Sequence, residues 1–250
     1  MSDKAGKQHV ILCEGFDDRS FWAGWLGYLG CTDPTDRGKR PACDAWGRPV
    51  RGGGRYLFHT PAGSSLIVHP FQGRYNAQRA AGEYLEGQVY RPDQMVLNLD
   101  SDAENGPGDS ARQTIRRIVE HHGGEIEDGS DGPFDLNGVQ VSAVIWECDD
   151  ARSTPGVPPK QTLERLVAAA IRSAYPPRGP VVDQWLIAEP RAGVINHKNY
   201  GYSYLAKWYA EHGADDFLRA IWRDEEVARR LRERLEKSGA WATLGSLVAT

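Results

Sequence analysis

The run Val96-Leu97-Asn98-Leu99-Asp100-Ser101-Asp102 ends an apolar stretch in two carboxylates one residue apart, and Asn105-Gly106-Pro107-Gly108 turns the chain soon after. In extended backbone, positions i and i+2 face the same side. Asp100 and Asp102 are therefore expected to project together from the carboxyl end of a strand. Two adjacent carboxylates repel each other and hold their protons unless a cation or hydrogen bonds neutralise them. A hard divalent ion, magnesium or manganese, suits such an all-oxygen site.

A second stretch has the same form. His9-Val10-Ile11-Leu12-Cys13 is apolar and leads into Glu14-Gly15, with Asp17 and Asp18 opening a helix. On the residues alone, Asp17 or Asp18 caps that helix, and for Asp18 a cap and a metal ligand are equally open. The two motifs together, E-G-x-x-D at 14–18 and D-x-D at 100–102, resemble the Toprim domain. That domain occurs in topoisomerases, primases, OLD-type nucleases and small ribonucleases of the 5S-rRNA maturase type.

The resemblance implies a fold, a cofactor and a substrate class. It implies Mg2+ (or Mn2+) held by Glu14, Asp18, Asp100 and Asp102, and it tips Asp18 toward the metal. It sets Glu164, in Thr162-Leu163-Glu164-Arg165, against the leucine-glutamate element found downstream in small Toprim-like nucleases, as a further ligand. It sets Lys198 against a lysine late in OLD-type Toprim domains that offsets phosphate charge. The catalytic set it implies is Glu14, Asp100, Asp102 and Lys198. Without the resemblance, Glu164 reads as an exposed helical glutamate and Lys198 as an ordinary surface lysine. Glu147, Asp149 and Asp150 form a third acid cluster after a strand, of uncertain register with the family.

Periodic patterns supply the elements that must position these residues. Phe21, Trp25, Tyr28 and Leu29 fall at helical spacing over 17–30. Tyr56 to His59 and Leu66 to His69 alternate as strands about a Pro61-Ala62-Gly63 turn. A helix runs through Tyr84 and Leu85, and another opens at Asp109-Ser110 and stops at Gly123-Gly124. A Gly/Asp-rich loop over 125–138 precedes a strand from Val139 to Trp146. Strands alternating with helices imply an α/β fold: a Toprim-like, mostly parallel sheet flanked by helices, with sites at the carboxyl ends of strands.

Beyond a Pro/Gly-rich segment (153–159) the pattern turns helical. The expected organisation is a Toprim-like domain over 1–152 and a helical C-terminal extension over 153–250, packed on it. The last expected helix spans Arg223 to Lys237. Its thin stripe of Val227, Leu231 and Leu235 either seals the domain or meets a partner, which leaves an oligomer open.

Composition bounds the function. The 250 residues are 40% hydrophobic and 26% charged, as in folded globular chains. A net charge of −4 gives no global basic field, which argues against a passive DNA-coating protein but not against a local basic groove. The loop at 31–55 supplies basic residues for such a groove, including Arg37, Lys39, Arg40 and Arg55, although a solvated loop is the simpler reading. Cys13, Cys31, Cys43 and Cys148 lack metal-site spacing. No signal peptide and no membrane span are recognised, so a cytoplasmic protein is expected.

The function implied is a divalent-metal-dependent nuclease acting on DNA ahead of RNA, of the kind found in anti-phage defence systems. No G-x-x-x-x-G-K-[ST] motif is present, so any ATPase would be a separate partner. The alternatives are a ribonuclease processing structured RNA, like the 5S-rRNA maturases, and a non-catalytic Toprim module that binds a partner or a nucleic-acid end.

Overall fold

A computed structural model describes residues 6–33, 54–102, 109–126, 132–148, 157, 160–188, 195–212 and 217–249. The basic residues 37–51, Cys43, Asp149 and Asp150 lie outside them.

Six strands form one sheet in the order β2-β3-β1-β4-β6-β5: β1 (Gln8–Cys13), β2 (Tyr56–His59), β3 (Ser65–Pro70), β4 (Gln94–Asp100), β5 (Phe134–Leu136) and β6 (Val139–Trp146). The centre is parallel, with β1 between β3 and β4, and the outer strands β2 and β5 pair antiparallel with their neighbours. A strand covered on both faces needs side chains that tolerate burial at every position, not at alternate ones. This is why Val10 to Cys13 and Met95 to Leu99 read as nearly continuous apolar runs, and all of these residues are buried.

Asn98 interrupts the second run and is fully buried. Helix α1 (Phe16–Tyr28) explains it: the Trp22 indole donates to Asn98 Oδ1 at 2.7 Å, and Asn98 Nδ2 donates to the Val144 carbonyl on β6 at 3.0 Å. A buried amide is tolerated when its hydrogen bonds are made, each worth about 1 kcal/mol net. Trp22 and Trp25 stack with ring centroids 4.9 Å apart beneath it. Helices α2 (Ala77–Leu85) and α3 (Asp109–His121) follow β3 and β4 in the chain.

Two elements depart from expectation. The stretch 125–138 is not all loop, because Phe134–Leu136 pairs with β6 as a hairpin strand. Its two-residue turn is Asn137-Gly138, with φ 56° and 83°, the left-handed pair that such a turn requires. The helix ending at Lys237 is not the last, since Ala240–Ala249 forms another.

The chain divides into two compact units. One comprises residues 1–99, 113–144 and 242–250, and holds most of the sheet. The other comprises 100–112 and 145–241, and is helical, with α4 (Leu163–Ala174), α5 (Arg178–Ile187), α6 (His197–His212), α7 (Phe217–Ala220) and α8 (Glu225–Lys237). Within it α4 packs on both α6 and α8. No described helix is long and apolar enough to cross a membrane.

Candidate functional site

Glu14 is the first residue after β1. Its backbone is fixed by the turn after β3: the Phe71 N–H donates to the Cys13 carbonyl at 2.9 Å and the Gly73 N–H to the Glu14 carbonyl at 3.0 Å. Its carboxylate lies 3.5 Å from the Arg74 guanidinium, and both side chains are about one-fifth exposed. Sequence reasoning missed this pair, because Arg74 is 60 residues away in the chain. Asp18 is buried, and its Oδ2 accepts the Gly15 N–H at 2.8 Å, so it caps α1. Burial pushes the Cys13 thiol well above its ordinary range, with the Asp18 carboxylate adding to the rise, which makes Cys13 a poor nucleophile.

In the helical unit, residues 100–102 run beside residues 160–163. The Asp102 N–H donates to the Gln161 carbonyl at 3.0 Å, and Asp100 Oδ1 accepts the Leu163 N–H at 2.9 Å. Asp100 thus satisfies one of the unpaired N–H groups that open α4. Thr162, at the cap position, makes no cap hydrogen bond with its own side chain.

The premise that placed Asp100 and Asp102 on one side of an extended strand fails here. Strand β4 ends at Asp100, and Asp102 has φ 55°, in the left-handed region. Its carboxylate lies 3.8 Å from Lys160 Nζ. Lys160 was not anticipated, and only its position at the end of a proline-rich segment could have drawn attention to it. Glu147 lies 3.8 Å from Arg112.

Glu164 is not the exposed helical residue its spacing suggests. It is 4% exposed, one residue inside the start of α4. The cause is Gly201 on α6: a Cβ there would lie 2.5 Å from Glu164 Cβ and 2.9 Å from the Glu164 carbonyl oxygen, so only glycine lets the two helices approach this closely. One turn earlier on α6, Lys198 Nζ stands 3.9 Å from Glu164 Oε1. The first turn of α6 is held by Asn196, whose Oδ1 accepts the Lys198 and Asn199 N–H groups at 3.0 and 2.9 Å. Lys198 therefore lies in the first turn of α6. Glu164 Oε2 is buried with no hydrogen-bond partner among the described residues.

The structure thus sets Asp100 and Asp102 beside residues 160–163, with Lys160 added, and pairs Glu164 at the start of α4 with Lys198 of α6. The positive end of the helix dipole favours ionised carboxylates there. The donor set is all oxygen and suits a hard cation. Among the described residues, however, no group of three or more His, Cys, Asp or Glu side chains is close enough to hold a metal ion. Magnesium does not need such a cage, since one or two carboxylates, water and substrate phosphate complete its shell.

No protein-family model matches the chain, and no curated protein does. Among solved structures, the chain is similar to a hypothetical protein, PH0156, from Pyrococcus horikoshii OT3, with TM-score 0.64 and 15% identity over 97% of this chain and 99% of that one. This likeness shows the fold. The C-terminal region of the Burkholderia pseudomallei OLD protein aligns with TM-score 0.39 and 14% identity over 92% of this chain and 98% of that one. A likeness so distant carries no argument.

Proposed function

We propose that the chain is a divalent-metal-dependent nuclease that hydrolyses phosphodiester bonds of DNA. The observation that supports it is the pairing of residues 100–102 with 160–163, which sets Asp100 and Asp102 with Lys160 at the start of α4, the helix whose Glu164 is paired with Lys198. A basic side chain beside acids is what a phosphate-cutting site requires, since the acids recruit a cation and the lysine offsets the charge that grows on phosphate. Asp100, Asp102 and Glu164 would hold Mg2+ or Mn2+, joined by Glu14 and Asp18 in the arrangement the Toprim resemblance implies. Glu14 directly follows β1, and Asp100 is the last residue of β4.

When bound, the ion would activate water and clamp the displaced oxygen. The chain's own residues orient and neutralise. Lys198 is 59% exposed and can turn its ammonium from Glu164 to an entering phosphate. Lys160, 36% exposed, can do the same from Asp102. In a defence setting an ATPase would lie outside these 250 residues, which contain no P-loop motif.

One specific observation favours a second reading, a catalytically silent binding module: Glu14 is already paired with Arg74, and no three-ligand group exists among the described residues. Incubation of the purified chain with plasmid DNA and with structured RNA, in Mg2+ or Mn2+, separates the readings. Cleavage of DNA that Asp102→Asn abolishes supports the nuclease, and cleavage of RNA alone moves the substrate to the maturase type. If the wild type cuts neither but still binds nucleic acid, the silent module stands.

A further inference from the structure

The turn between β3 and α2 carries an aromatic ring that contributes little to the core. Tyr75, in a short 3-10 helix (Arg74–Asn76), is 86% exposed. The two residues before that helix, Gln72 and Gly73, have φ 61° and 97°. A left-handed non-glycine residue is uncommon, and backbone held this way clusters at binding and catalytic sites. Glycine at 73 also shapes the ring's seat: a Cβ there would lie 3.1 Å from Tyr75 Cε1 and 3.5 Å from Cδ1. The ring therefore rests against the Gly73 backbone and is otherwise open.

This turn is tied to Glu14 twice, through the Gly73 N–H and the Arg74 guanidinium. Tyr75 also lines an open cavity of about 510 Å3 shared with Gln78, Arg79 and His121 and with the carboxylates of Glu83 and Glu86. That size is in the range of sites for small molecules, roughly 300–1,000 Å3. Arg79 is 69% exposed in its side chain and lies 3.1 Å from the Glu83 carboxylate, a solvent-facing partner that an entering phosphate can replace. The Gln78 amide and the His121 imidazole can read a base edge, the Arg79 guanidinium can exchange Glu83 for its phosphate, and an open ring can stack on its face.

We propose that Tyr75 is a stacking platform for an unpaired base and that the cavity beside it takes that nucleotide. The substrate is then a DNA strand with a single-stranded flank, which rests on the reading of nucleic acid as the ligand. The test is binding in EDTA, so that it does not depend on cleavage. Fluorescence anisotropy would compare a labelled DNA duplex carrying a short single-stranded overhang with the same duplex made blunt. The overhang is expected to bind more tightly. Tyr75→Ala is expected to weaken its binding about tenfold, the usual loss of one stacked base, while Tyr75→Phe keeps it and both variants melt with the wild type.

Equal binding of blunt and overhanging duplexes, wild-type binding by Tyr75→Ala, or no binding of either DNA overturns the platform. A protein that binds through Tyr75 but cuts nothing with Mg2+ or Mn2+ keeps the platform and loses the nuclease. One that cuts DNA while Tyr75→Ala binds normally loses the platform alone.

Discussion

Lys198 Nζ lies 3.9 Å from Glu164 Oε1, joining a lysine side chain that is 59% exposed to a buried glutamate. A buried charge is costly without a partner, so the lysine has a structural task as well as the proposed one at phosphate. Lys198→Ala is expected to slow metal-dependent cleavage by about 10²–10³-fold, the usual cost of removing a group that stabilises developing charge. It should also lower the melting temperature, modestly because the lysine is solvent-screened. Adding Glu164→Gln should recover that stability but not the activity, because the buried charge is then gone as well. Thermal melts of the two singles and the double, read as a cycle, check the pair. Melting temperatures that simply add would show the two residues to be uncoupled.

The Asp100 carboxylate accepts the Leu163 N–H, which separates capping from metal binding by substitution. Asparagine keeps an acceptor oxygen of the same reach, and asparagine and aspartate cap equally well. Asp100→Asn should therefore melt with the wild type yet lose cleavage. Asp100→Ala should lose cleavage and also about 1 kcal/mol of stability, the typical value of a lost cap, seen as a drop of about 2–4 °C for a chain of this size. Full activity in Asp100→Asn would remove Asp100 from the catalytic set.

The sheet was legible in the sequence for a simple reason. Val10 to Cys13 and, but for Asn98, Met95 to Leu99 are apolar at every position, as central parallel strands favour. The acids at their ends were equally visible. What was not visible depended on contacts distant in the chain. Glu164 lies beside Leu163 at the start of α4, and nothing in local periodicity marks it as buried; that follows from Gly201, 37 positions later, bringing α6 against it. The expected alignment of Asp100 with Asp102 assumed a strand that continues, whereas the chain turns left-handed at Asp102. Strand β5 could have been read, since Asn137-Gly138 between Leu136 and Val139 is a strong hairpin signal, but the glycines and aspartates before it masked so short a strand.

Gly201→Ala tests the helix contact that buries Glu164. Its methyl group would stand 2.5 Å from Glu164 Cβ and 2.9 Å from a backbone oxygen, and backbone cannot swing aside as a flexible side chain can. Overpacking of this kind costs about 1–3 kcal/mol. The midpoint of urea denaturation should fall while the slope is unchanged. An unchanged midpoint would mean that α4 and α6 separate at little cost.

His69 predicts how stability depends on pH. Its Nδ1 lies 3.1 Å from the Tyr84 hydroxyl, and burial, reinforced by the charges of Arg55 and Arg79, pushes it down to about 3. In the unfolded chain an imidazole titrates near 6.5, so between about pH 6.5 and 3 the unfolded state binds a proton that the folded state does not. Stability must then fall as pH drops through that window, by at most about 1.4 kcal/mol per pH unit from this group, and it is unaffected by the group above pH 7. His69→Gln keeps a polar partner for Tyr84 without a titrating ring, so its urea midpoint should change less than that of the wild type between pH 7 and pH 5. Parallel pH profiles for the two proteins would show that His69 is protonated as readily in the folded state as in the unfolded one.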